Sequence, residues 1–118
     1  MTREQIIARG RELRPSWDES EFGPWADAKM QVSPRAGMGG AGRPAQQADW
    51  RELVPKVTCP TLLVTADPER GAIVTPEAAE AARLNPHFTV VRLPGAGHNI
   101  RREQFDGYVK AVREFLRQ

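Results

Sequence analysis

The 118 residues fall within the usual size range of one domain, and 40% hydrophobic with 27% charged residues is an ordinary balance for a globular protein. Seventeen basic and 15 acidic residues are mixed along the chain, so its formal charge of +2 gives no reason to expect a nucleic-acid partner. The single cysteine, Cys59, excludes an internal disulfide, and we expect it to be a small buried hydrophobe. No stretch is apolar enough for a membrane span or a secretory signal, which favours a cytoplasmic protein without a membrane partner.

The chain begins with two predicted helices. Thr2 and Gln5 form a capping box that begins a helix over residues 3–13, and Pro15 ends it. A second helix is expected over residues 18–31, where large apolar side chains recur at helical spacing.

A predicted linker follows over residues 33–47, which hold four glycines and two prolines and offer little to a core. Its glycines at 37–42 match the dinucleotide-binding pattern G-x-G-x-x-G. We interpret that match as accidental, because no strand precedes it and Pro44 follows.

Residues 48–118 alternate between predicted helices and strands. In chain order we expect a short helix over 48–55, a strand over 60–66, a helix over 76–84, a strand over 88–93 and a helix over 101–116. The first strand is a continuous apolar run, as in a parallel strand buried on both faces, and the last helix carries an amphipathic stripe. This alternation predicts parallel strands joined by a right-handed crossover.

Two parallel strands are too few for a stable buried sheet, so we expect the other strands to come from another chain or from an N-terminal segment. Without them, apolar strand residues would be exposed. Those residues are Leu62, Leu63, Val64, Val90 and Val91.

Acidic residues and a histidine follow the two predicted strands. Asp67 and Glu69 come after the first strand, and His98 comes after the second across a Gly-Ala-Gly turn. Reactive groups of open α/β folds collect beyond the carboxyl ends of strands, and an acid followed roughly 30 residues later by a histidine matches the later part of the order Ser, Asp or Glu, His. No Gly-x-Ser-x-Gly elbow occurs in the chain, so it has no nucleophile of that kind.

Two segments resemble the α/β-hydrolase family. Residues 59–77, Cys-Pro-Thr-Leu-Leu-Val-Thr-Ala-Asp-Pro-Glu-Arg-Gly-Ala-Ile-Val-Thr-Pro-Glu, are similar to its acid strand and loop, and residues 93–105, Leu-Pro-Gly-Ala-Gly-His-Asn-Ile-Arg-Arg-Glu-Gln-Phe, to its histidine loop. The first 50 residues resemble the helical cap that such enzymes insert before this half. The resemblance implies a partial α/β-hydrolase fold: a helical cap-like segment with its linker over 1–47, then two parallel strands with flanking helices over 48–118.

The resemblance also implies roles. His98 would be the general base, with Asp67 or Glu69 as its carboxylate partner. Glu69 stands three residues after Ala66, the usual place of the acid in the family, whereas Asp67 is the more usual residue type, and both stay candidates. Substrate contacts are expected from Trp25, Asn99 and Ile100, and no metal or cofactor is expected. Packing of the cap on the core explains Trp25 equally well, and Asn99 could equally cap the last helix.

Two functions follow as hypotheses. In the first, the chain is the C-terminal portion of a hydrolase of a small ester, amide or related bond; it supplies base and acid, and it is inactive without a partner that carries the nucleophile. That partner would be an N-terminal hydrolase half or another chain that completes the sheet. In the second, the chain is a non-catalytic remnant or interaction module that pairs with another chain through its sheet edge.

Overall fold

The computed structural model describes residues 1–33 and 49–118. They belong to two compact units, Met1–Gln46 and Gln47–Gln118, called here the N-terminal unit and the C-terminal unit. The predicted linker, apart from Ser33, and the glycine pattern within it lie outside the described residues. The interpretation of the N-terminal unit as a cap-like segment stays a prediction.

Two helices form the N-terminal unit, α1 (Arg3–Leu13) and α2 (Phe22–Gln31). Helix α1 begins as predicted: the Thr2 hydroxyl accepts a hydrogen bond from the Gln5 backbone N–H at 3.3 Å, and the Gln5 side chain accepts one from the Thr2 N–H at 2.8 Å. The second predicted helix is confirmed over residues 22–31. The three residues before it, Glu19–Glu21, form a tighter 3-10 turn.

An aromatic cluster holds these two helices together. Trp17 is only 6% exposed; its ring stacks on Phe22 at 5.9 Å between centroids and meets Trp25 edge-on at 6.0 Å. Gly10 lets α1 approach closely, because a Cβ there would lie 2.7 Å from the Trp25 ring. Trp25 therefore contributes to the core of its own unit.

The C-terminal unit contains the predicted alternation of helices and strands. Its elements are α3 (Trp50–Leu53), β1 (Thr61–Thr65), α4 (Pro76–Arg83), β2 (Phe88–Arg92), α5 (Ile100–Glu103) and α6 (Phe105–Leu116). Short 3-10 turns follow α3 and β1. None of the helices in residues 1–33 and 49–118 has the length and apolar character needed to cross a membrane.

The prediction of one helix over 101–116 is wrong, because the chain breaks between α5 and α6. Gln104 adopts φ −139° and ψ 59°, outside the helical region, and the Tyr108 N–H begins the next helical ladder on the Gln104 carbonyl at 2.9 Å. The apolar stripe begins only at Phe105, after the break, so its periodicity gave no reason to begin the helix at residue 101.

Strands β1 and β2 form a parallel pair, as predicted. Thr61 lies opposite Phe88 and Thr65 opposite Arg92, without a register shift between them. Both strands therefore end at the same edge, and the loops that follow them leave the sheet side by side.

Helix α4 covers part of this sheet. Ala79 and Ala82 pack with Val90, which is 8% exposed, so the expectation that Val90 would be exposed is wrong: the small alanines let α4 lie close over it. Strand β1 is covered less completely, although its apolar run was expected to be buried on both faces. Three of its residues are half-buried: Leu62, Leu63 and Val64.

The other edge of β1 faces no strand among the described residues. The Thr65 carbonyl accepts a hydrogen bond from the Leu93 N–H at 2.9 Å, which shows that Thr65 directs its backbone groups towards β2. Since neighbouring residues of a strand direct these groups to opposite sides, Leu62 and Val64 direct theirs away from β2. This side of β1, at Leu62 and Val64, is called the open edge below.

Cys59 is exposed, so the expectation that it is buried is wrong. It lies before β1, where its backbone carbonyl accepts a hydrogen bond from the Thr61 hydroxyl at 3.0 Å. Residues 58–60 are all exposed, and the chain becomes half-buried again at Thr61, where pairing with β2 begins.

Candidate active site

Two loops meet at the carboxyl ends of the strands. The acid loop, residues 66–75, follows β1, and the histidine loop, residues 93–99, follows β2. The Asp67 backbone N–H donates a hydrogen bond to the Ala96 carbonyl at 2.9 Å, and both residues are buried. The loops that carry the candidate acids and base are therefore joined through their backbones.

The Asp67 carboxylate makes a second connection between the loops. Its Oδ1 accepts a hydrogen bond from the Arg92 guanidinium at 2.8 Å, and its Oδ2 accepts one from the Gly95 backbone N–H at 2.7 Å. Gly95 has φ +83°, a conformation that favours glycine. The Gly95 N–H first, and then Arg92, hold the pKa of Asp67 below its usual value, because both stabilise the charged form.

Gly97 lies close to the acid loop. A Cβ at this position would lie 2.2 Å from the Arg70 carbonyl oxygen of the acid loop, so a larger residue would require the backbone to move. The Gly97 N–H donates to the Glu103 carboxylate of α5. The sequence did not predict Glu103 as a residue of this site. The one feature that could have indicated it is its position five residues after His98, in the next helix.

His98 is exposed at the end of the histidine loop, beside a cavity of about 200 Å³. The cavity is lined by residues 64–66, residues 72–74, Gly97, His98 and Ile100, most of which are apolar. Its mostly apolar lining with one titratable group resembles that of small-molecule sites, although its volume is below their usual range of about 300–1,000 Å³. We call it the histidine pocket.

The other predicted site residues lie in different surroundings. Ile100 lines the histidine pocket together with His98. Asn99 stands before α5, where its backbone carbonyl, and not its side chain, accepts the first helical hydrogen bonds. Glu69 is exposed on the 3-10 turn of the acid loop, and Trp25 belongs to the N-terminal unit. The roles of all these residues stay predictions. Over residues 1–33 and 49–118 no three acidic, histidine or cysteine side chains cluster as metal ligands would.

The lowered pKa of Asp67 predicts a pH-dependent contribution to stability. A carboxylate whose pKa is lower in the folded than in the unfolded state stabilises the fold above the unfolded pKa, and this stabilisation is lost as the pH falls through the folded pKa. We expect Asp67→Asn to lower the free energy of unfolding by a constant amount above about pH 5 and by progressively less at lower pH. Urea denaturation between pH 3 and 7 measures this difference. In Glu80→Gln, which removes an exposed carboxylate paired with Arg83, the pH dependence should stay close to that of the unmodified chain. A difference between Asp67→Asn and the unmodified chain that is independent of pH would contradict the assignment.

Comparisons with protein-family models and with curated proteins give no match. Among solved structures, the chain is similar to the crystal structure of E-2-(acetamidomethylene)succinate hydrolase, at 23% sequence identity and a TM-score of 0.71. The match covers 98% of this chain and 46% of that one, so the chain spans less than half the length of the protein it matches. Together with the parallel β1–β2 pair and its flanking helices, this similarity shows that the chain has a partial α/β-hydrolase fold.

Proposed function

We propose that this chain supplies the catalytic base and acid of an α/β-hydrolase whose nucleophile lies on a partner. The partner would be an N-terminal hydrolase half, or another chain that completes the sheet. The observation that carries the proposal is the junction of the acid loop and the histidine loop at the ends of two parallel strands, joined by Asp67 and Ala96. That junction leaves the His98 imidazole exposed beside an apolar pocket, where a nucleophile from outside the chain can reach it.

Within this proposal the triad acid is Glu69, and Asp67 is structural. Both Asp67 oxygens already accept hydrogen bonds, from Arg92 and from Gly95, and rotating the carboxylate towards His98 would break them. Glu69 is exposed on the same loop, three residues after Ala66. In the proposal its side chain turns to the imidazole and stabilises the imidazolium as His98 takes the proton of the nucleophile.

The proposed substrate is a small molecule with an ester, amide or related bond. The similar solved protein is a hydrolase of E-2-(acetamidomethylene)succinate, and the histidine pocket suits a small apolar group. Ile100 would contact that group directly, with Asn99 and Trp25 as further substrate contacts. Because the base and acid are side chains, the proposed chemistry uses no metal or cofactor. We also propose a cytoplasmic location for the chain.

The open edge of β1 favours a second candidate function. The N–H and C=O groups of Leu62 and Val64 pair with no strand among the described residues, so they can add a strand from another chain without any chemistry. In that case the chain would be an interaction module, and His98 would be a remnant of a catalytic ancestor.

Reconstitution distinguishes the two functions. The chain is co-expressed with a candidate N-terminal half that carries a Gly-x-Ser-x-Gly elbow, and hydrolysis of 4-nitrophenyl esters and anilides is measured. We expect turnover by the complex and none by either half on its own. Glu69→Gln should lower kcat of the complex by on the order of 10³-fold or more, and Asp67→Asn should lower it less.

Each outcome decides one point. A larger loss of kcat in Asp67→Asn than in Glu69→Gln, with both complexes folded, would transfer the role of acid to Asp67. A stable complex that hydrolyses none of these substrates would favour the interaction module.

A further inference from the structure

We propose that Glu103 and Asp67 are positioning residues for His98, because their carboxylates hold the backbone N–H groups of Gly97 and Gly95. The histidine loop would then be fixed by this chain alone, before any partner completes the sheet. The inference deepens the proposed function, since it takes His98 to be the base, but its geometry concerns only the C-terminal unit.

Glu103 closes a short ring of hydrogen bonds around His98. Its carboxylate accepts the Gly97 N–H, while its own backbone N–H donates to the Asn99 carbonyl at 3.0 Å. His98 lies between these two points of attachment. The break at Gln104 ends α5 directly after Glu103, and the Glu103 side chain is half-buried.

Asp67 holds the loop from the other side. Its Oδ2 accepts the Gly95 N–H at 2.7 Å, and its backbone N–H donates to the Ala96 carbonyl at 2.9 Å. Gly95, Ala96 and Gly97 are thus each hydrogen-bonded to a residue outside the loop, and Ala96 is fully buried. The three residues that lead into His98 have little freedom to move.

Carboxylates hold these groups more firmly than neutral acceptors would, because hydrogen bonds to an ionised acceptor are about twice as strong. A base must lie within hydrogen-bond reach of the nucleophile, and a displacement of about 1 Å can cost 10²-fold in rate. Fixing the backbone on both sides of His98 limits such displacements. The His98 imidazole can therefore be exposed to solvent and still hold a defined position.

Amide hydrogen exchange of the full ¹⁵N-labelled chain tests the inference. We expect Glu103→Gln to raise the exchange rate of the Gly97 amide about tenfold and that of Gly95 much less, since a neutral acceptor replaces a charged one. Asp67→Asn should have the converse effect, and Glu80→Gln should change neither amide. Equal acceleration of both amides in each variant would indicate general loosening of the fold and would overturn the proposal.

The imidazole provides the second readout. In Glu103→Ala we expect the ¹⁵N signals of the His98 ring to broaden or shift relative to those of the unmodified chain, and Glu103→Asp, which keeps the charge, should restore them in part. Ring signals that stay unchanged while the Gly97 amide exchanges rapidly would reject a positioning role. These measurements need no turnover, so a failure of the proposed hydrolase function in the reconstituted complex would be recognised separately.

Discussion

Replacing His98 with alanine should abolish hydrolysis by the reconstituted enzyme, lowering kcat by on the order of 10⁴-fold or more. The imidazole takes the proton of the nucleophile and returns it to the leaving group, and no other side chain of the histidine pocket can do both. Because His98 is exposed, the substitution should leave the fold intact. Steady-state kinetics of the complex, with its thermal unfolding measured alongside, gives the result.

His87→Ala is the matched control. His87 is also exposed, but it precedes β2 and so lies at the end of the sheet opposite to His98. The Thr61 N–H donates a hydrogen bond to the backbone carbonyl of His87 at 2.8 Å, and replacing the His87 side chain leaves this hydrogen bond in place. Turnover should therefore match that of the unmodified complex. Unchanged turnover in His98→Ala, or an equal loss in both variants, would reject His98 as the base.

The second large effect is on stability: Gly97→Ala should lower the free energy of unfolding by about 3 kcal/mol, at the upper end of the usual cost of overpacking. Its Cβ would lie 2.2 Å from the Arg70 carbonyl oxygen, and a backbone atom cannot move aside as a side chain can. The two loops would have to separate, which would also disturb the hydrogen bonds of Asp67. Urea denaturation at neutral pH measures the change.

Gly71→Ala separates the two reasons for which glycine is needed in these loops. Gly71 has φ +94° but nothing within 4 Å of an added Cβ, so alanine there costs backbone strain of roughly 1 kcal/mol without a clash. Gly97 has the opposite combination, with crowding and no left-handed backbone conformation. If Gly97→Ala proved no more destabilising than Gly71→Ala, the close approach of the two loops would be refuted.

Local signals in the sequence predicted most of the helices and strands. The capping box at Thr2 defines the start of α1, and the Thr75-Pro76 pair defines the start of α4, because these residues act on the backbone groups next to them. The alternation of helices and strands over residues 48–118 predicted the parallel pair of β1 and β2. Alternating elements of this kind constrain topology strongly, which is why the fold could be inferred.

Features that depend on contacts distant in sequence were not predictable in this way. The pairing of Asp67 with Arg92 joins residues 25 apart in the sequence. The break at Gln104 was missed for another reason: the apolar stripe begins only at Phe105, so the spacing of apolar residues carries no sign of it. In the sequence, position favours Glu69 and residue type favours Asp67, and the hydrogen bonds of Asp67 add the reason to prefer Glu69.

The open edge of β1 links stability to association. A strand that binds at Leu62 and Val64 in the folded chain, and not in the unfolded chain, stabilises the fold by mass action. A partner at about 100 times its dissociation constant would add roughly 2.7 kcal/mol, a large share of the stability of a small domain. The thermal midpoint of such a complex would rise with the partner's concentration, so the persistence of the chain in a cell would depend on the supply of that partner.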